Sequence, residues 1–219
     1  MPRPLQLVPP PRPPDAAPPR APFEGDDAAL VAAFRAGEPR ARAALYERHA
    51  DHVHRVLRRL LGFRGDLADL HHDVFVRALA SLPNLADPSA LKAWLTRIAV
   101  FVARSAIAKR VRGRWLWFLP GDEVPEVPAS TAPREILDAV RATYAVLDQL
   151  PTDERIAFAL RFIEGMELTE VAAATGTSLA TAKRRIARAE ERFERHARKE
   201  PALGHWLEGG SRWGGTNDR

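Results

Sequence analysis

Apolar residues recur along most of this chain at steps of three and four, the spacing that lines one face of a helix. Asp26 stands where it can cap a first helix with Leu30, Val31 and Phe34 inward, and Gly37 ends it. Pro39 takes the first-turn position of a second helix, through Leu45, Tyr46, Val53, Val56, Leu57, Leu60 and Leu61, which Gly62 and Gly65 break. Asp66 opens a third, with Leu67, Leu70, Val74, Leu79 and Leu82 inward, stopped at Pro83-Asn84. Asp87-Pro88 opens a fourth, through Leu91, Trp94, Leu95, Ile98, Val102 and Ile107. Short loops between four such helices predict a compact antiparallel bundle over residues 25–113.

The pattern collapses over residues 114–133, where four prolines and a glycine rule out a continuous helix and predict a linker. Its first part, Trp115-Leu116-Trp117-Phe118-Leu119, is too apolar for a solvated tether. It is expected to dock on the first domain or between the domains, keeping the free chain compact with part of its surface covered. A second all-helical domain follows over residues 134–199. Residues 1–24 hold ten of the 19 prolines and read as a disordered, partly polyproline tail. Residues 200–219 read as a loose, Gly-rich tail. The fold class is therefore all-α, two small helical domains joined by a Pro-rich linker.

The second domain carries the sharpest local signal. Thr175-Gly176-Thr177-Ser178 is a tight turn in which glycine can take the left-handed conformation and Ser178 can cap the next helix. This predicts a helix-turn-helix, whose second helix enters the DNA major groove. Leu179, Ala182, Ile186, Ala189 and Phe193 form its buried stripe. Thr181, Arg184, Arg188 and Arg195 lie opposite, with Lys183 and Arg185 on the flanks. From residue 178 to 199 there are eight Lys/Arg against three Glu, a surplus of +5 that matches the net charge of the whole chain. Ser178, Ala180, Thr181 and Arg184 fall where base edges are reached. Lys183, Arg185 and Arg188 fall where phosphates are held.

A second basic region has a different character. Residues 88–114 contain no acid but carry Lys92, Arg97, Arg104, Lys109, Arg110, Arg112 and Arg114, interleaved with Trp94 and Phe101. Cations neutralise phosphates while aromatic faces stack on unpaired bases, a pairing suited to single-stranded DNA. Trp94 also lies on the apolar face with Leu91, Leu95 and Ile98, so core packing is its competing role.

Composition removes other function classes. Without cysteine there is no disulfide, thiolate catalysis or Cys-based zinc site. No uncharged apolar run approaches the ~20 residues that span a bilayer, and the proline-rich start cannot form a signal-peptide core. The expectation is a soluble, cytoplasmic chain. His49, Asp51, His52 and His54 lack the i,i+4 geometry of a helical metal site. No nucleophile triad or phosphate-cradling loop is present, so neither catalysis, metal nor cofactor is expected.

Leu150-Pro151, Glu164-Gly165, Glu170-Val171-Ala172, Gly176-Thr177-Ser178 and Thr181-Ala182-Lys183 together resemble region 4 of the sigma-70 family, most closely its extracytoplasmic-function branch. Residues 66–79 (DLADLHHDVFVRAL) resemble that family's region 2.2 helix, and residues 91–99 (LKAWLTRIA) the start of the helix that melts the −10 element. The resemblance implies a sigma factor that binds core RNA polymerase, reads the −35 element with the helix-turn-helix and melts the −10 element with the first domain. It implies polymerase docking on the face of Asp69, Asp73, Phe75 and Arg77, and an anti-sigma factor as a possible partner. By residues alone, Asp73 and Arg77 form no more than an i,i+4 pair. Four positions depart from the family pattern: Phe101 stands for an asparagine, Ser105 for an aspartate, His72 for a glutamine and Arg184 for a frequent serine. These bear on −10 preference more than on polymerase binding. A stand-alone helix-turn-helix regulator and a diverged sigma-like interaction protein remain the alternatives.

Overall fold

The computed structural model describes residues 23–62, 66–116 and 133–208, and among them every regular element is helical. α1 (Asp27–Arg35), α2 (Pro39–Leu61), α3 (Leu67–Ser81) and α4 (Leu91–Leu116) form one bundle. α5 (Arg134–Leu147), α6 (Thr152–Phe158), α7 (Leu168–Thr175), α8 (Leu179–Ala197) and α9 (Pro201–Glu208) form the other. α6 runs straight into a π-helical turn at Ala159–Ile163.

Local signals fix most of the helix ends. The Asp26 carboxylate accepts from the Ala29 amide at 2.8 Å, and Pro39 sits in the first turn of α2, where a missing N–H breaks no helical bond. Gly62 closes α2 at φ +79°. Asp66 opens α3 as expected, its carbonyl accepting from the Leu70 amide. Its carboxylate makes no cap but pairs with Arg110, tying the start of α3 to the far end of α4.

In the second bundle Ala182, Ile186, Ala189, Phe193 and Ala197 are the buried stripe of α8. Phe193 stacks on Phe158 with ring centroids 4.5 Å apart, and Phe158 meets Phe162 at 4.7 Å. Full burial of the Phe158 and Phe193 rings stabilises the bundle by about 1.5–3 kcal/mol each. Leu179, expected in this stripe, is instead 41% exposed: it is the first residue of α8, and its side chain lies in solvent beside the exposed Ala180.

Two boundaries also differ from expectation. α4 continues through Arg114 to Leu116, because Gly113 only weakens a helix and no proline occurs before Pro120. The rest of the expected linker, including Trp117, Phe118 and Leu119, lies outside the described residues, as do residues 1–22 and 209–219. Residues 201–208, expected to be loose, form α9, where Pro201 opens the helix and Leu203 is buried against α5 and α8 residues.

The two bundles share a core. One buried cluster runs from Leu30 and Leu57 through Leu95 and Ala103 to Ile156, Leu160, Val171 and Ile186. Polar groups of the second bundle also cap the C-terminal end of α2, whose last carbonyls have no helical partner. The Tyr144 hydroxyl donates to the Arg58 and Arg59 carbonyls at 3.3 and 3.1 Å. Arg155, 3% exposed, donates to the Leu60 carbonyl at 3.2 Å and pairs with Asp148. A Cβ at Gly62 would come within 2.9 Å of the Tyr144 ring, so glycine is required there for close approach as well as for its positive φ.

Within the first bundle His52 joins α2 to α4 through a 2.8 Å hydrogen bond to the Thr96 hydroxyl. Burial, aided by the nearby Lys92 and Arg55 cations, pulls its pKa from 6.5 down to about 4. The folded chain therefore holds this ring neutral while the unfolded chain protonates it below pH 6.5. The resulting stability is complete above pH 6.5 and is lost as pH falls toward 4. Lowering the pH from 7.5 to 5 should reduce the melting temperature by a few degrees, on the order of a 1 kcal/mol effect. His52→Gln should flatten that dependence in a thermal-melt pH series.

Candidate nucleic-acid interface

The turn between α7 and α8 forms from its own residues. Gly176 takes φ +65°, ψ 37°, and its N–H donates back to carbonyls of α7. Ser178 is extended, and its hydroxyl oxygen accepts from the Thr181 amide at 3.2 Å. Ser178 also donates to the Thr181 hydroxyl at 3.0 Å, and Arg184 donates to the same oxygen at 3.3 Å. Ser178, Thr181 and Arg184 thus form one hydrogen-bonded row on the outer face of the first two turns of α8. Ala180, Lys183, Arg184 and Arg188 are exposed, whereas Arg185 is half-buried. The exposed Leu179 adds an apolar contact to this face that periodicity had assigned to the core. α7 carries a start signal that the sequence reading passed over: the Glu167 amide donates to the Glu170 carboxylate at 2.8 Å.

On α4, Lys92, Arg97, Phe101, Arg104, Lys109 and Arg112 are exposed. Arg110 is not available in the same way, since its guanidinium is held by Asp66. Phe101 is 55% exposed, with the Arg77 guanidinium 5.4 Å from its ring centroid. Arg77, Trp94, Arg97, Ile98 and Phe101 line an open groove of about 300 Å³. Trp94 is half-buried, packing against the core on one side and lining the groove on the other.

The α3 face is less uniform than its spacing implied. Asp69 is exposed, and Asp73 binds Arg77 with both oxygens at 3.0 Å. Phe75 is only 4% exposed, packed on Tyr46 and His71 at 4.8 and 5.1 Å, so its ring supports this face without presenting itself. Tyr46 and Val76, each 49% exposed, are the apolar groups on offer nearby. The histidines are engaged in structure: His49 with Asp27 at 3.2 Å, His71 with the Ala50 carbonyl at 3.0 Å. Burial lowers the pKa of His49 although Asp27 opposes it. Among the described residues no group of three His, Cys, Asp or Glu could hold a metal ion. No described helix is long and apolar enough to cross a membrane.

Two family models match this arrangement, sigma-70 region 2 over residues 45–113 and sigma-70 region 4 over residues 141–193. The first covers α2 to α4 and the second holds the helix-turn-helix. The chain belongs to the sigma-70 family. Members of this family are non-enzymatic factors of transcription initiation. The chain is 33% identical over 159 residues to the ECF RNA polymerase sigma factor SigE of Mycolicibacterium smegmatis, covering 71% of this chain and 61% of that protein. It is 26% identical over 178 residues to the RNA polymerase sigma-H factor of Pseudomonas aeruginosa, covering 77% and 92%. Its fold matches the sigma factor RpoE of Bartonella quintana, solved with the anti-sigma factor NepR, at a TM-score of 0.54 and 25% identity, over 69% of this chain and 92% of that one.

Region 4 packs on region 2 chiefly through α6 and α7 against α4 and through the Ala159–Ile163 turn against α2. The Gly176 turn of region 4 lies against Arg97 of α4, 3.7 Å from the position a Cβ would take. Glu164 of region 4 pairs with Arg59 at 2.6 Å and Arg55 at 3.7 Å on α2. Asp153, in the first turn of α6, pairs with Arg104 of α4 and Arg185 of α8 together. None of these long-range pairs is legible as a sequence motif.

Ser178→Ala removes the acceptor that starts α8. The expected cost is about 1 kcal/mol of stability, measured by chemical denaturation, with the recognition face frayed at its first turn.

Proposed function

We propose that region 4 of this chain reads the −35 element, region 2 opens and holds the −10 element, and both act on core RNA polymerase. One observation carries this reading. A single chain presents two nucleic-acid-competent helices of different kinds, a capped recognition helix α8 and an acid-free basic-aromatic helix α4. A regulator that binds duplex DNA alone has no use for the second.

On α8, Ser178, Ala180, Thr181 and Arg184 reach base edges, and the neighbouring Leu179 supplies an apolar contact of the kind that meets a thymine methyl. Lys183, Arg185 and Arg188 hold phosphates. On α4, Lys92, Arg97, Arg104, Lys109 and Arg112 track the opened strand, while Phe101 and Trp94 offer faces for unpaired bases at ~1–3 kcal/mol each. Arg110 contributes once released from Asp66. Phe101 replaces edge readout by stacking, and Ser105 turns inward on its own helix, its hydroxyl donating to the Phe101 carbonyl at 3.1 Å. Both favour a −10 element read by shape and stacking more than by base-edge hydrogen bonds.

Polymerase docks on α3 through Asp69, Asp73 and Arg77, flanked by Tyr46 and Val76 and braced by Phe75. The domain limits follow: region 2 up to about residue 113, a linker to 133, region 4 to about 199. An anti-sigma factor is a further partner, in keeping with the complex from which the Bartonella relative is known. The chain works in the cytoplasm, where polymerase and promoters are.

Arg184→Ala is expected to lose about 1–3 kcal/mol at the cognate −35 duplex and to relax preference at one or two positions. Lys183→Ala weakens all duplexes alike and flattens the salt dependence. Binding titrations on sequence-scrambled duplexes separate the two; equal behaviour of both variants would refute the register assigned to α8.

The Asp73–Arg77 pair is half-exposed, so breaking it costs only about 0.3–0.5 kcal/mol. Asp73→Arg therefore leaves the chain folded by circular dichroism but releases it from core polymerase in a pull-down. Undiminished capture of that variant would move the docking site off α3.

A further inference from the structure

Asp153 occupies an unusual place for an acidic residue in a basic interface. Its Oδ1 lies 3.0 Å from Arg104 Nη2, and its Oδ2 lies 2.6 Å from Arg185 Nη2. One guanidinium comes from the strand-holding helix of region 2 and the other from the recognition helix of region 4. Two cations brought to one point from different bundles repel each other unless an anion stands between them. The carboxylate is that anion. Both arginines are also, by the assignment above, groups that bind DNA phosphate, whose charge and oxygens a carboxylate reproduces. Another α4 arginine, Arg97, also approaches region 4, its Nη2 lying 3.7 Å from where a Cβ on Gly176 would stand.

We propose that Asp153 is an internal stand-in for DNA phosphate that latches the chain shut by tying one arginine of each reading helix to a single carboxylate of α6. The latch rests on the DNA-binding roles given to Arg104 and Arg185. Opening exposes both guanidiniums at once, so separation of the regions and acquisition of DNA are coupled: phosphate competes with Asp153 for the same two partners, and any surface that holds the regions apart makes both available. The buried Arg155 and the shared apolar core hold the interface independently. Loss of Asp153 therefore shifts the balance toward the open form without unfolding either region. The pairs are half-exposed, with side chains of Arg104, Asp153 and Arg185 at 51%, 29% and 25%, so each shifts the equilibrium by at most a factor of about five.

The chain contains no cysteine, so Arg42→Cys on α2 and Lys199→Cys after α8 provide two unique spin-labelling sites on the full-length protein. The distance distribution is expected to show one short population in the otherwise native chain. With Asp153→Asn a longer population should appear. In parallel, Asp153→Asn should tighten binding of promoter duplex by the free chain about three- to tenfold, the factor by which the competent fraction rises. Glu190→Gln changes charge equally on α8 without touching Arg104 and should alter affinity less than twofold. In the polymerase-bound state, where the regions are held apart, Asp153→Asn should bind as native. An unchanged distance distribution in Asp153→Asn overturns the latch, and this arm uses no DNA, so it decides the matter whether or not α8 reads a −35 element. An affinity gain matched by Glu190→Gln and persisting with polymerase would reduce the effect to bulk charge and overturn it equally. Failure of the DNA reading itself is seen separately, in an Arg184→Ala variant that binds and discriminates as native.

Discussion

α4 is buried along two adjoining stripes, and the remaining structure is arranged around that fact. Leu91, Leu95, Ala99 and Val102 form one stripe at helical spacing; Thr96, Val100, Ala103 and Ile107 form the next. A helix inside a single small bundle needs only one such face. α4 uses the wider arc to lie against α2 and α3 and, at the same time, against α6 and α7. Ala99 and Ala103, both fully buried, keep the helices close. What is left to solvent is the strip through Arg97, Phe101 and Arg104, which is also the strip best suited to a polyanion. Packing therefore selects which residues of this helix are free to do chemistry.

The same interface has a second, polar layer. Tyr144 and Arg155 satisfy carbonyls at the end of α2, Glu164 meets Arg55 and Arg59, and Asp153 meets Arg104 and Arg185. Burying a guanidinium such as Arg155 is expensive unless it is paired, so Asp148 is needed beside it. Charged contacts of this kind specify one docking geometry while adding little net stability. Interfaces between domains that separate in use are typically polar in this way. A purely apolar seam of the same area would hold the regions in one arrangement.

Much of this was legible from local rules. Asp26, Pro39, Gly62, Gly176 and Ser178 end or start helices where their side chains and φ preferences dictate, and the helix-turn-helix follows from its turn. What escaped depends on contacts distant in sequence. Phe75 carries the spacing of a docking face but is turned inward on Tyr46 and His71. Arg110 belongs to an acid-free run but finds Asp66 from another helix. Leu179 keeps the periodicity of the α8 stripe but begins the helix in solvent. α9 was hidden by Gly204 and by the glycine-rich sequence that follows it, although Leu203 anchors it. The second buried stripe of α4 lies in the sequence as Thr96, Val100, Ala103 and Ile107 at helical spacing. Its meaning required the partner helices.

The proposed function requires one chain to link polymerase to a promoter through two distinct reading helices. Run-off transcription with purified core RNA polymerase and a library of promoter fragments tests that most directly. The predicted result is a defined start site on a subset of fragments, dependent on the chain and lost when either the −35 or the −10 segment is scrambled. Transcripts indistinguishable from core polymerase alone, despite intact duplex binding by α8, would contradict it.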